Sequence, residues 1–417
     1  MPVGPALSRA RGDMDLQDHK AYRKGTHRTV TPGETVARVR PLMAQMGITR
    51  VANVTGLDRI GVPVVVAFRP NSRSLAVSQG KGIDLDAAKA SALMEAVEGY
   101  HAERIDHPLR LGSCEDLARA LRLADVDGLP RPRHSGFHRN LQIAWIEGRD
   151  LLADTSVWLP YETVHTNYTL PLPTGSGCFV ASTNGLASGN CLSEAISHGI
   201  SEVVERDSIT LWNHLPDRAR DRTRIDIDTV DDATCAGVLD RLRRAGLAVA
   251  VWDATTDAGI PSFYCLIVDE RRELAHSGAG SGTHPSREVA LLRAVTEAVQ
   301  VRTNYITGAR DDLNPDEYAD HGIQAKFDRA QALMRARPQR SFHDVPTFEA
   351  GEISADIDWM LGRLTTVGVK QVIVVDLSRP EFNLAVARVV IPGLEGPDDH
   401  EAYAPGPRAR AVGGDAS

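Results

Sequence analysis

The chain has 417 residues, 42% of them hydrophobic and 24% charged, a balance typical of globular proteins and enough length for two or three domains or one large α/β body. A net charge of −8 provides no global basic field for nucleic acid or an anionic membrane surface. Five scattered cysteines without a C-x-x-C pair, no apolar run of the ~20 residues that span a bilayer, and no apolar core of a secretory signal point to free thiols and a cytoplasmic setting.

In chain order, residues 1–20 are rich in Pro, Gly and charge and read as a flexible amino-terminal tail. "ETVARVRPLMAQMG" is helical, and the β-branched runs "ITRVANVTGL" and "VPVVVAFRP" are strands. Helices are expected at about 84–104 and 114–124, then strands at "LQIAWIEGRDL" and "SVWLPYETV", then helices at about 191–213 and 231–245. Strands at "LAVAVWDAT" and "PSFYCLIVDE" precede helices at about 285–305 and 325–336, and "VKQVIVVDLS" and "NLAVARVVIP" add two more strands. Residues 394–417 read as a second tail, leaving a catalytic domain at 21–393. The elements interleave without strict β-α-β alternation, so the expected class is α+β (mixed α/β).

Three segments echo one another. "LAVSQGKG", "NGLASGN" and "LAHSGAGSG" each read as a small, glycine-rich turn that feeds a helix. Each helix carries polar residues at i, i+4 and i+7: Ser91, Glu95 and Glu98; His198, Glu202 and Glu205; Arg293, Glu297 and Gln300. Apolar residues lie opposite them, with Leu93 and Val97, Ile196 and Ile200, and Leu291 and Val295. The interval from turn to stripe is nine residues for Gly82 and Gly189 but eleven for Gly282.

Solvated helix faces mix Lys and Arg with Glu, and these stripes hold almost none. Their flanks are small (Ala88, Ala92, Ala96 and Ala102; Ala195 and Gly199; Ala294 and Ala298), which lets neighbouring helices approach and turns the stripes inward. Clustered carboxylates without cations call for a metal, and oxygen donors with little His and no Cys select Mg²⁺. Glu95, Glu98, Glu202, Glu205 and Glu297 therefore suggest more than one ion bridging nucleotide phosphates, with Arg206 and Arg293 neutralising the rest of the charge. "GAGSG" lacks a Walker lysine and a G-x-G-x-x-G context, so the site is neither a P-loop nor a Rossmann pocket. His198, beside Gly199 inside a helix, reads as a structural hydrogen-bonder, and His27 in "KGTHRTVTP" as a loop residue that could lie in a lid.

"SALMEAVE", "SGNCLSEAISHGISEVVERD" and "RAVTEAVQ" together resemble the three ATP-binding segments of the YcaO family. The resemblance implies a YcaO-like fold with helices packed on mixed sheets around an ATP and Mg²⁺ site. It implies that Glu95, Glu98, Glu202, Glu205 and Glu297 hold magnesium and that Ser91, Asn190, Glu194, Arg206 and Arg293 contact the nucleotide, with Lys24 as the basic residue near the amino terminus. It also implies phosphorylation of a peptide amide oxygen by ATP, followed by attack of a nucleophile on the amide carbon.

The carboxy terminus "YAPGPRARAVGGDAS" departs from the P-x-P-x-P ending common among azoline-forming members. "KGTHRTVTP", "ITRVANVTGLDRIGVPV" and "VIPGLEGP" are instead similar to the subgroup that works with a TfuA-like partner in peptide thioamidation. The resemblance then implies sulfide addition to a ribosomally made peptide, with a TfuA-like protein, a precursor peptide and a sulfide donor as partners and a homodimer left open. An azoline cyclodehydratase and a non-catalytic ATP-binding accessory protein are the alternatives.

Overall fold

The computed structural model describes residues 18–269, 277–310, 312, 313, 315–398 and 403–413. Residues 1–17 of the expected amino-terminal tail, and 399–402 and 414–417 of the expected carboxy-terminal tail, lie outside these described residues. The chain forms two compact units. One is built from Ala21–Ala96 and Leu215–Glu349; the other from Val97–His214, residues 18–20 and the described part of Ala350–Ser417. The class is α+β, as the interleaved pattern predicts.

The first unit uses the same arrangement twice. Strands Arg50–Asn53, Val64–Phe68 and Val77–Lys81 form an antiparallel meander that leads into the helix Leu85–Ala102, whose residues from Val97 onward belong to the second unit. Strands Leu247–Asp253, Ser262–Asp269 and Gly278–Thr283 form another, which leads into the helix Arg287–Thr307. The middle strands are buried except at Phe68 and Tyr264, which are half-buried, and their β-branched and aromatic side chains favour this: Val64, Val65, Val66, Phe263 and Ile267 have no solvent exposure. Val64, Phe263 and Ile267 join Leu239, Leu242, Leu291 and Val295 in one apolar core.

The glycine-rich segments differ from the sequence expectation. They are strands (Val77–Lys81, Leu186–Gly189 and Gly278–Thr283), not turns. Glycine occurs there because a helix backbone lies directly against the strand. A Cβ on Gly80 would sit 2.1 Å from Ala88 O and Ala92 N; one on Gly282 would sit 2.1 Å from Ala290 O and 2.5 Å from Ala294 N. The small helix residues thus admit a strand rather than a neighbouring helix. The register also resolves the unequal intervals: Gly80 corresponds to Gly282, each lying fifteen positions before its glutamate, Glu95 or Glu297. Gly82 corresponds to Gly189, whose Cβ would lie 2.4 Å from that of Glu194.

The second unit is one mixed-length antiparallel sheet in the order Leu109–Gly112, Ile143–Asp150, Ile373–Asp376, Ala385–Val390 and Leu186–Gly189, with Thr155–Pro160 pairing Ile143–Asp150. The helix Leu192–His214 packs on Leu186–Gly189 and Ala385–Val390, and Gly199 admits Val389, whose Cγ2 would be 2.5 Å from a Cβ there. The helix Ile353–Thr366 packs against it and has no counterpart in the sequence reading. Its buried face, Ile353, Ile357, Met360, Leu361 and Leu364, is interrupted by Asp356, which is neutralised by the equally buried Lys20 with Nζ 2.7 Å away. At the carboxy-terminal end, Arg408 of the short helix Pro407–Gly413 donates to Asp207 at 3.0 Å, while Glu395 accepts from the backbone of Gly406 and Ala409 at 2.9 Å. All five cysteines are free, and among the described residues no helix is long and apolar enough to cross a membrane.

The close strand–helix contact makes a contrast of two glycine substitutions informative. Gly282→Ala should destabilise the protein by about 1–3 kcal/mol through overpacking against the helix backbone. Gly237→Ala, in an exposed helical position with nothing within 4 Å, should stabilise it by up to about 1 kcal/mol. Urea denaturation of both variants measures the difference, and equal midpoints would show that the contact is not tight.

Candidate active site

All three acidic helices follow strands at the edge of their sheets, where backbone N–H groups are not taken by a neighbouring strand. In the first unit those donors hold glutamates. Gln79 N–H donates to Glu95 Oε1 at 3.3 Å, and Ser281 N–H donates to Glu297 Oε1 at 3.3 Å, sixteen positions on in both cases. Ser281 Oγ adds a second donor to Glu297 at 3.3 Å. Lys81, on the first edge strand, reaches the second module: its Nζ lies 2.5 Å from Glu297 Oε2. Gln300 Nε2 donates to Gln79 Oε1 at 3.5 Å. The unit therefore brings Glu95 and Glu297 into one network. Solvent still reaches Glu95, but the protein crowding it displaces water, and this desolvation pushes its carboxyl from 4.5 up to about 7 against the pull of the Gln79 N–H, Lys81 and Arg310.

On the same helices Ser91 and Arg293 are half-buried, and Arg293 Nη1 donates to Thr283 O at 3.1 Å. Lys24 is exposed. Its neighbour Gly25 has φ +75°, and a Cβ there would meet Leu292 Cδ2 at 2.9 Å, so this stretch of chain lies against the third helix. His27 is buried with its ring edge-on to His284, centroids 5.0 Å apart, rather than in an open loop.

The second unit holds the remaining residues. Glu98 accepts from Ser188 Oγ at 2.6 Å. Glu194 is 1% exposed, and its Oε2 accepts from Asn190 N–H at 2.8 Å and Asn190 Nδ2 at 3.1 Å. That carboxylate fixes the turn carrying Asn190. Glu205 is 7% exposed and 3.5 Å from Arg206 Nη2. Glu202 is half-buried, and desolvation pushes its carboxyl up to about 7, Arg206, Arg388 and a backbone hydrogen bond from Gly185 opposing the shift and Glu205 adding to it. His198 is half-buried on the same helix.

The sequence reading does not single out Gln79, Lys81, Ser188, Ser281 or Arg388, all of which belong to these networks. Period-two alternation carries a signal for the first two, since Gln79 and Lys81 alternate with the helix-facing Gly80 and Gly82. A lone Arg within the apolar strand Ala385–Val390 marks a buried cation that needs a partner.

The donor set suits Mg²⁺. It consists of carboxylate oxygens, two of them, Glu95 and Glu202, pushed up to about 7 by desolvation, and one, Glu297, facing Lys81.

Residues 79–395 match the family model described as YcaO cyclodehydratase, ATP- and Mg²⁺-binding. A protein encoded in the tfuA 3′ region of Rhizobium leguminosarum bv. trifolii is 38% identical over 384 residues, 88% of either chain. A protein of Methanothermobacter thermautotrophicus is 33% identical over 379 residues, 88% of this chain and 94% of that one. Among solved structures, YcaO from Methanopyrus kandleri bound with AMPPCP and Mg²⁺ superposes with a TM-score of 0.72 at 22% identity, over 91% of this chain and 95% of the other. A heterocyclase in complex with substrate and cofactor gives 0.76 at 24% identity over 94% of this chain, which spans 56% of that heterocyclase. These two likenesses establish a shared fold.

Raised carboxyl pKa values set a pH dependence. Glu95 and Glu202 bind protons more tightly in the folded chain, so the stability they contribute is fully present below about pH 4.5 and is lost as pH rises through about 7. A metal ion must displace those protons. At about pH 6.5, calorimetric titration with Mg²⁺ and AMPPCP should therefore show proton release, read as a binding enthalpy that differs between buffers of different ionisation enthalpy. A buffer-independent enthalpy would mean that neither carboxyl is a ligand.

Proposed function

We propose, from the premise that this chain belongs to the YcaO family, that it uses ATP to activate a peptide backbone amide and adds sulfide to it, leaving a thioamide in a ribosomally made peptide. YcaO proteins are ATP- and Mg²⁺-binding, and the cofactor assignment follows the family. The single observation that carries the catalytic reading is the network of Glu95, Lys81 and Glu297. Backbone donors hold both carboxylates, desolvation disfavours the charge of Glu95, and Lys81 faces Glu297, an arrangement that supports a cation- and phosphate-binding role.

Glu95, Glu98, Glu202, Glu205 and Glu297 are assigned to magnesium, and Lys24, Ser91, Asn190, Glu194, Arg206 and Arg293 to the nucleotide. Magnesium, when bound, neutralises phosphate charge and polarises the transferring phosphoryl group. Arg206 and Arg293 add positive charge where negative charge spreads, and Glu194 keeps Asn190 in place. The amide oxygen attacks the γ-phosphorus, forming a C–O–P linkage and releasing ADP. Hydrosulfide then adds to the amide carbon, and phosphate departs with the former amide oxygen and the sulfur-bound proton. The thioamide, ADP and phosphate account for every atom.

The likeness to the protein of the tfuA 3′ region supports the sulfide branch and a TfuA-like partner, alongside a precursor peptide and a sulfide donor. The cyclodehydratase description of the family and the heterocyclase fold favour a second reading, in which a side chain of the peptide is the nucleophile and an azoline forms.

Incubation of the full chain with ATP, Mg²⁺, sulfide, a candidate precursor peptide and a TfuA-like protein tests the proposal. A peptide gain of about 16 Da, oxygen replaced by sulfur, is the expected outcome; a loss of about 18 Da would establish ring closure instead. Phosphate release without a change in peptide mass would assign an accessory role. Glu202→Ala and Glu205→Ala should each abolish turnover while the thermal midpoint holds or rises, because removing one of two neighbouring carboxylates relieves repulsion. Normal turnover in either variant, or its unfolding, would overturn the metal assignment.

A further inference from the structure

The second unit contains a cavity of about 50 Å³ that none of the assigned nucleotide or metal residues lines. Leu129, Val203, Val389, Ile391 and Leu394 give it apolar walls. Arg388 lines it from the strand Ala385–Val390 and is 3% exposed. Its Nη2 donates to Ser182 O at 2.7 Å, whereas Nε and Nη1 have no acceptor. Glu202, Tyr168 and His165 are near enough to interact electrostatically with Arg388, yet none pairs with it. Glu395 also lines the cavity, but its carboxylate is committed to the Gly406 and Ala409 backbones and, at 3.1 Å, to Tyr403. Asn184 also lines the cavity, and its Oδ1 lacks a donor.

We infer that this cavity is a binding site for hydrosulfide. The inference rests on the thioamide reading and gives that chemistry its nucleophile. Buried guanidinium donors without an acceptor call for an anion. The unmet amide oxygen of Asn184 calls for a donor on the same ligand, which excludes halide and fully ionised carboxylate. Hydrosulfide accepts from Arg388 and carries one S–H for Asn184. At roughly 10–15 Å³ per water, about 50 Å³ has room for one hydrosulfide with accompanying water. Apolar walls favour a soft, polarisable sulfur over a strongly hydrated oxyanion.

Sulfide titration of the full-length protein and of three variants, followed by calorimetry and by thioamide formation, tests the site. The wild type should bind one hydrosulfide per chain. Arg388→Met should raise both the sulfide Kd and the sulfide KM by about tenfold or more, with Arg388→Lys in between. Asn184→Ala should weaken sulfide binding in the same sense and carries the test if Arg388→Met does not fold. Sulfide binding that is absent from the wild type, or unchanged in both Arg388→Lys and Asn184→Ala, would overturn the site and leave a water-filled cavity. Thioamide formation with an insensitive sulfide KM would sink this site and spare the proposed function. Arg388-dependent sulfide binding without any change in peptide mass would do the reverse.

Discussion

The contact on which the rest depends is that of a helix backbone against a glycine in an edge strand. Gly80 and Gly282 let Ala88, Ala92, Ala290 and Ala294 press onto the strands so closely that no side chain could intervene. At that separation the unused N–H groups of Gln79 and Ser281 come within hydrogen-bond reach of Glu95 and Glu297. A strand one methyl group further away would leave both carboxylates unanchored and both N–H groups unmet. Packing and chemistry are therefore the same feature at these positions. The acidic stripe that looks like a solvated helix face is tethered to the sheet beside it.

Electrostatics then set the demand for a ligand. Like charges along one helix repel, and crowding by protein makes ionisation dearer still. The chain moderates this with Lys81, Arg206, backbone donors and the hydroxyl of Ser188, yet desolvation still pushes the Glu95 and Glu202 carboxyls up to about 7. A divalent cation bound at these carboxylates, as proposed, would relieve that cost. That trade of stability for binding is what the proposed nucleotide–metal site would require.

Much of this was legible in the residues. Alternating β-branched runs such as "VPVVVAFRP" and "PSFYCLIVDE" become strands, and the long helices begin and end within a few residues of where periodicity puts them. The three glycine-rich strands were not legible, because glycine signals a turn locally and its real cause is a helix backbone several positions later in the chain. The helix Ile353–Thr366 was hidden by Asp356, whose partner Lys20 lies more than three hundred residues away in sequence. Lys81 and Arg388 stand alone in their strands, and only the folded chain shows what each cation faces. The glutamates themselves were visible from spacing, because a period of i, i+4 and i+7 survives whatever the helix packs upon.

Counting Mn²⁺ bound per chain by electron paramagnetic resonance, with and without AMPPCP, tests most directly whether these carboxylates serve a metal–nucleotide complex. Two or more ions per chain in the presence of nucleotide, falling when Glu297→Gln is combined with Glu202→Gln, is the predicted result. Nucleotide bound equally tightly without any divalent ion, or an ion count untouched by the paired substitution, would contradict it.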